Sequence, residues 1–151
     1  MEIKQIKKSV IAVRLVRGEE LIGSLTKIAQ DFKIGFGSLQ AIGALKDVEL
    51  GYYDLPIQKF HKKVFSEDYE LLSAQGNISW LTDGNPFVHI HAALSNKEYQ
   101  VIGGHLFSGT VAVTLEVFVT AFPAHVQKNP NPDIGINVWD LKNCKLTLGT
   151  Q

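Results

Sequence analysis

Three of the five histidines lie within seventeen residues, in the segments Val-His-Ile-His (88–91) and Gly-Gly-His (103–105). In a β-strand, successive side chains point to opposite faces, so His89 and His91 would project from the same face. If His105 comes from the adjoining strand of a hairpin, the three imidazoles form a site of the kind that binds a divalent metal and leaves one coordination position open.

The register of this hairpin decides whether His105 reaches the other two histidines. A three-residue loop at 96–98 would place His89 directly opposite His105, on the same face. A two-residue loop would instead place His105 opposite Val88, on the wrong face. Gly103 and Gly104 would let another backbone or a ligand approach closely, although a β-bulge explains them equally well.

Neutral imidazoles suit zinc, nickel, iron or copper, and availability favours zinc. We therefore expect a divalent metal, zinc first, bound by His89, His91 and His105. Two alternatives stay open: histidines satisfied by hydrogen bonds in the core or at a subunit contact, and an anion site. His61 lies in a charged segment and His125 follows Phe-Pro, so neither is a strong ligand candidate.

Composition narrows the class of protein. A chain of 151 residues suits one domain, spanning 1–151. Fifteen basic residues balance fifteen acidic ones, which argues against binding to duplex DNA. The single cysteine, Cys144, excludes an internal disulfide and fits a reducing compartment. No apolar run approaches the roughly 18 residues of a membrane span, so we expect a cytoplasmic protein without membrane contact.

Hydrophobic periodicity predicts one helix in a chain that is otherwise mostly sheet. Apolar residues at 21, 22, 25, 28, 29 and 32 indicate a helix over 19–32, with Glu19 and Glu20 in its first turn. Asn129 to Asp133 is expected to be an irregular connector. Strands are expected at 9–17, 36–42, 46–54, 70–80, 86–94, 100–107, 110–121 and 134–148.

The predicted strand 110–121 is apolar on both faces. Val111, Val113, Leu115, Val117 and Val119 would share one face, and Glu116 would lie on the other. Such a strand is covered on both sides, by the helix or by a partner subunit, so Glu116 would need a partner such as a histidine or Arg14, unless it reaches water at the end of the strand.

Seven segments, in order along nearly the whole chain, resemble the plants-and-prokaryotes-conserved (PPC) domain family. The histidine segments are similar to those of its stand-alone prokaryotic members. The segments are 14–21 (RLVRGEEL), 35–45 (GFGSLQAIGAL), 51–54 (GYYD), 69–78 (YELLSAQGNI), 86–92 (PFVHIHA), 103–106 (GGHL) and 116–119 (EVFV).

The resemblance implies an α+β domain, a mainly antiparallel sheet packed with one principal helix, that assembles as a homotrimer. It also implies the family's label of predicted DNA-binding protein. That label derives from plant members with an AT-hook centred on Arg-Gly-Arg-Pro, which this sequence does not contain. The plant domain recruits partners through a segment that resembles 69–72, so Glu70 is a candidate subunit contact.

Three hypotheses for function follow, in this order. The first is a cytoplasmic homotrimer with a three-histidine metal site and a binding or regulatory role for an unknown small-molecule ligand. The second is a metal-dependent enzyme in which Glu116 or Tyr52 handles protons, with Arg14 as a further supporting residue. The third is a DNA-associated protein.

Overall fold

The structure, a computed structural model, describes residues 1–147; position 148, the end of the last predicted strand, lies outside this range. Eleven strands and one helix make up the described chain. They are β1 Glu2–Lys7, β2 Val10–Val16, α1 Leu21–Asp31, β3 Gly37–Asp54, β4 Lys59–Phe65, β5 Tyr69–Leu81, β6 Pro86–Ser95, β7 Val101–Ala121, β8 Ala124–His125, β9 Gln127–Asn131, β10 Ile136–Trp139 and β11 Lys145–Leu146.

Four long strands form a closed cycle at the centre of the fold. β7 pairs with β3, β3 with β5, β5 with β6, and β6 with β7, and all four pairings are antiparallel. β1 and β2 extend the sheet beside β7, whereas β9 and β10 extend it beside β5 through a parallel pairing. The predicted α+β class, a mainly antiparallel sheet with one principal helix, is confirmed.

Helix α1 follows the predicted apolar pattern. Leu21, Leu25, Ile28 and Ala29 are buried against the core, as a stripe with helical spacing requires. The helix begins two residues later than predicted, because Glu20 is its N-cap and its carboxylate accepts hydrogen bonds from the first turn. With eleven residues α1 is short, and the described chain contains no helix that could cross a membrane.

Strand β6 shows which face of the sheet carries the histidines. Val88, Ile90 and Ala92 are buried in the hydrophobic core, and they alternate with His89 and His91. Because neighbouring side chains of a strand point to opposite faces, both histidines lie on the face turned away from the core.

The prediction that Val113 shares a buried face with its neighbours is wrong. Val113 is 67% exposed, whereas Val111 and Leu115 are completely buried. Leu115 pairs with Gly43 and Val111 with Leu45, so β7 has two more residues than β3 between these pairs and its alternation slips. A Cβ on Gly43 would lie 2.3 Å from a backbone oxygen of β7, and its φ of +147° favours glycine.

Other boundaries differ where local pattern is weak. β3 and β7 are continuous through the breaks predicted at 43–45 and 108–109. β1 and β4 were not predicted, because almost all their residues are exposed and show no alternation. The prediction of an irregular connector at 129–133 is wrong for residues 129–131, which belong to β9 and pair with β10.

Candidate metal site

The hairpin formed by β6 and β7 brings the three histidines together, but not in the predicted register. His105 pairs directly with His91, whereas the three-residue loop predicted at 96–98 would have paired it with His89. Shifting a pairing by two residues preserves the face from which each side chain projects. All three imidazoles therefore lie on one face, as the metal hypothesis requires.

Asn96 explains the longer turn. Its side-chain oxygen accepts hydrogen bonds from the backbone N–H groups of Glu98 and Gln100, at 3.1 and 2.9 Å. Its own backbone N–H donates to the Gln100 carbonyl at 3.1 Å, and Tyr99 takes the left-handed conformation, with φ at +61°. These contacts give a loop of residues 96–100 between β6 and β7.

The three rings form a compact triangle. Ring centroids are 5.1 Å apart for His89 and His91, 4.9 Å for His89 and His105, and 5.5 Å for His91 and His105. One nitrogen from each ring can be chosen so that all three lie within 4.8 Å of one another. Zinc with bonds of about 2.0–2.1 Å needs its nitrogens about 3.3 Å apart, so small ring rotations would complete the site.

Burial keeps two of the imidazoles neutral. It is the main cause that lowers the pKa of His89 and of His105 from 6.5 to about 4. The positive charge of Lys128 lowers both pKa values further, as do neighbouring histidines of the cluster. A neutral imidazole can donate its lone pair to a metal, so both rings are ready to bind at neutral pH.

Aromatic side chains surround the outer side of His105. Its ring centroid lies 4.5 Å from that of Phe107 and 5.0 Å from that of Phe60. Gly51 pairs with His105 from β3, and a Cβ there would lie 2.5 Å from the Phe107 ring. Absence of a side chain at Gly51 therefore lets these rings pack against the candidate ligand.

An open cavity of about 720 Å³ lies in front of the histidines. Its wall is mainly aromatic, and it includes Lys128 from β9 and Asn137 from β10. Lys128 is only 7% exposed, and burial lowers its pKa. This wall could not be predicted from the sequence, because β9 and β10 are short and lie far along the chain from the histidines.

A buried amide lies beside the cluster on β5. Asn77 pairs directly with His89, and paired residues project from the same face. The side-chain oxygen of Asn77 is buried and has no hydrogen-bond partner. Histidine ligands usually donate their second ring N–H to such an acceptor. An unpartnered acceptor next to His89 therefore fits a bound metal, as does a donor set of three neutral imidazoles.

The other residues singled out from the sequence lie in different places. Tyr52 is at the rim of the cavity and is 73% exposed. Glu116 and Arg14 are paired on β7 and β2, are exposed, and line a separate depression. The Arg14 guanidinium binds the Glu2 carboxylate. Glu70 is exposed at one end of β5.

These features define a class: an α+β domain built on a closed cycle of four antiparallel strands, with a histidine cluster on its outer face. Residues 4–123 match the model of the Plants and Prokaryotes Conserved (PCC) domain. The chain belongs to this family, also abbreviated PPC, which confirms the resemblance drawn from the sequence.

Solved structures support the same assignment over nearly the whole chain. A candidate DNA-binding protein of Bacteroides thetaiotaomicron is 25% identical with a TM-score of 0.89, and the match covers 93% of this chain and 97% of that one. A PPC protein of Pyrococcus horikoshii is 29% identical with a TM-score of 0.81, covering 92% and 93%. A metal-containing protein of Archaeoglobus fulgidus is 32% identical with a TM-score of 0.81, covering 91% and 94%. No protein of curated function matches the chain significantly.

Proposed function

We propose that the protein is a cytoplasmic homotrimer that binds one divalent ion per chain, zinc first, through His89, His91 and His105. The ion's role in this proposal is to hold a small-molecule ligand in the adjacent cavity. The observation that carries the proposal is the triangle of donor nitrogens, all within 4.8 Å of one another on the cavity wall. The description of the Archaeoglobus fulgidus relative as metal-containing supports it.

Metal analysis tests the site directly. Untagged protein purified without chelators is expected to contain about one ion per chain by elemental analysis, and zinc titration by calorimetry is expected to give the same stoichiometry. Alanine at any one of the three histidines should weaken zinc binding by orders of magnitude. His61→Ala is the matched control, since His61 is an exposed residue of β4 paired with Asp54. If wild-type protein carries no bound ion after incubation with excess zinc, the site is ruled out.

Asn77 provides a second test of the same geometry. If its side-chain oxygen accepts a hydrogen bond from the second ring N–H of His89, Asn77→Leu should weaken zinc binding 10- to 100-fold. This is the usual effect of losing such a partner. The stoichiometry should remain one ion per chain. An unchanged affinity would mean that Asn77 does not position His89.

The homotrimer in this proposal is supported by exposed apolar side chains on the outer face of the sheet. Ile42 is 57% exposed and Phe118 is 52% exposed, and both line a shallow depression with Glu116. Large apolar side chains grouped on a surface are typical of a contact site. Light scattering should give three times the chain mass, and a monomer at micromolar concentration would exclude the trimer.

A metal-dependent enzyme is the second candidate, because a cavity opens directly in front of a donor set that leaves a coordination position free. Tyr52 is the proton-handling candidate at its rim. Zinc-dependent hydrolysis of p-nitrophenyl acetate that is absent in His105→Ala would support catalysis. Equal rates in both proteins would argue against it.

DNA binding is the third candidate, since two of the structural relatives are described as candidate DNA-binding proteins. A chain with balanced charge can neutralise few phosphates, so we expect weak binding to duplex DNA. Fluorescence anisotropy with a labelled duplex would measure it. Sequence-selective affinity tighter than about 10 nM at physiological salt would reverse this order.

A further inference from the structure

Lys128 is a buried positive charge without a negative partner in the described chain. It is 7% exposed, and its Nζ makes one long hydrogen bond, 3.5 Å, to the backbone carbonyl of Asn137. Its Nζ also lies 4.6 Å from the centroid of the Phe87 ring. No ion pair joins Lys128 to a carboxylate of residues 1–147. Buried lysines are rare unless they are paired, because desolvation of the charge is costly.

The fold holds this lysine at the histidine cavity. Lys128 pairs with Leu81 of β5 on one side and with Trp139 of β10 on the other. Phe87, which the lysine contacts, lies two residues before His89 on β6, with ring centroids 6.2 Å apart. The strands that supply Lys128 and Asn137 follow residue 123, where the match to the family model ends.

The charges around the cavity all have the same sign. Among the described residues, no aspartate or glutamate lines it, although Lys128 does. A divalent ion held by three neutral imidazoles would add two further positive charges. Bound cations are often the largest charges in a site, so this arrangement favours an anion in the cavity.

The remaining residues that line the cavity indicate the shape and polarity of the rest of the ligand. Phe60, Phe87 and Phe107 line it together with the ring of Tyr53, so most of the wall is flat and apolar. A cavity of about 720 Å³ has the size of ordinary small-molecule sites. One ammonium group and no arginine among the lining residues match a single negative charge better than a phosphate dianion.

We propose that the cavity binds a small carboxylic acid with a flat apolar body, its carboxylate paired with Lys128 and its body packed against the phenylalanine rings. The inference deepens the proposed function and rests on it for the second positive centre, the metal. Lys128 and the aromatic wall belong to the protein itself, so their part can be measured with or without zinc.

Benzoate is the probe, benzyl alcohol its neutral counterpart, and phenyl phosphate the alternative anion. Calorimetry with wild-type protein, zinc-loaded and zinc-free, should show benzoate binding at least tenfold tighter than benzyl alcohol. Zinc should strengthen benzoate binding further. If wild-type protein takes up no zinc, the proposed metal function fails, and the zinc-free comparison still decides the role of Lys128.

Lys128→Met removes the charge and keeps the length of the side chain, and Lys142→Met is the control at an exposed lysine of the same region. Lys128→Met should lose at least tenfold in benzoate affinity, with unchanged benzyl alcohol binding and unchanged zinc stoichiometry, whereas Lys142→Met should behave as wild type. Absence of benzoate binding to wild type, or equal benzoate binding by wild type and Lys128→Met, would overturn the proposal. Lys128-dependent binding of phenyl phosphate tenfold tighter than benzoate would overturn the carboxylate assignment.

Discussion

Lowering the pH from 7 to 5 should destabilise the metal-free protein through His89 and His105. Folding lowers the pKa of each imidazole from 6.5 to about 4. At a pH between the folded and unfolded pKa values, the unfolded chain binds protons that the folded chain does not. The free energy of unfolding therefore rises with pH in this range. Stability is therefore fully present above about pH 6.5 and is lost as the pH falls toward 4.

The size of this loss follows from the two pKa values. For each histidine, linkage gives a loss of about 1.8 kcal/mol between pH 7 and pH 5. Both side chains remain partly exposed, and water screens the unfavourable charge. We therefore expect about half of the linkage value, or about 2 kcal/mol for the pair.

Urea denaturation followed by circular dichroism, with EDTA present and the chain concentration fixed, measures the free energy of unfolding at each pH. A double variant, His89→Gln with His105→Gln, isolates the contribution of the two imidazoles from that of the carboxylates. Wild type should lose about 2 kcal/mol more than the double variant between pH 7 and 5, and His61→Gln should follow wild type. The same pH dependence in wild type and the double variant would refute the reasoning.

Three further variants test the proposed subunit interface, one tertiary hydrogen bond and the helix cap. Ile42→Glu should reduce the mass seen by light scattering from trimer to monomer without changing the circular dichroism, and an unchanged mass would place Ile42 outside the interface. Trp80→Phe removes the 2.8 Å hydrogen bond from the indole N–H to the Ile34 carbonyl and should cost about 1 kcal/mol in urea denaturation. No measurable cost would mean that water replaces that bond. Glu20→Ala removes the helix cap, which accepts from the Ile22 N–H at 3.1 Å, and should also cost about 1 kcal/mol, whereas Glu20→Gln should retain most of the stability.

Helix α1 and the face that carries the histidines could be predicted from the sequence because both depend on short-range periodicity. The apolar spacing of 3.6 in the helix and of 2 in β6 is fixed by local geometry. Tertiary packing does not change which side a residue projects from unless a bulge intervenes. Val113 shows this limit, since a bulge of long-range origin reversed its predicted burial.

The exact pairing of the hairpin could not be predicted because it depends on the turn. Asn96 can accept two backbone hydrogen bonds only if the loop extends to Gln100, and nothing in the alternation of the strands demands this length. The three histidines still share one face, because the observed and predicted registers differ by an even number of residues. An odd difference would have moved His105 to the other face.

Lys128 and Asn77 were missed for a different reason. Lys128 reaches the cavity through the parallel pairing of β9 with β5, which joins segments 47 residues apart, as in Leu81 and Lys128. The polar sequence of β9, which includes Pro130, did not indicate a buried strand. Asn77 is recognisable only from its register with His89, since an isolated asparagine in a strand carries no specific signal.

The candidate metal ligands lie close together in the sequence, whereas the strand pairings that hold the sheet together join distant parts of the chain. His89 and His105 belong to one hairpin, whereas Val10 of β2 pairs with Thr120 of β7 across 110 residues. A bound ion would lie on the face turned away from the hydrophobic core, so its loss would leave the packing of Val88, Ile90 and Ala92 unchanged. In contrast to a zinc finger, which unfolds without its metal, this chain should therefore keep its fold when the ion leaves, and metal exchange should not require unfolding.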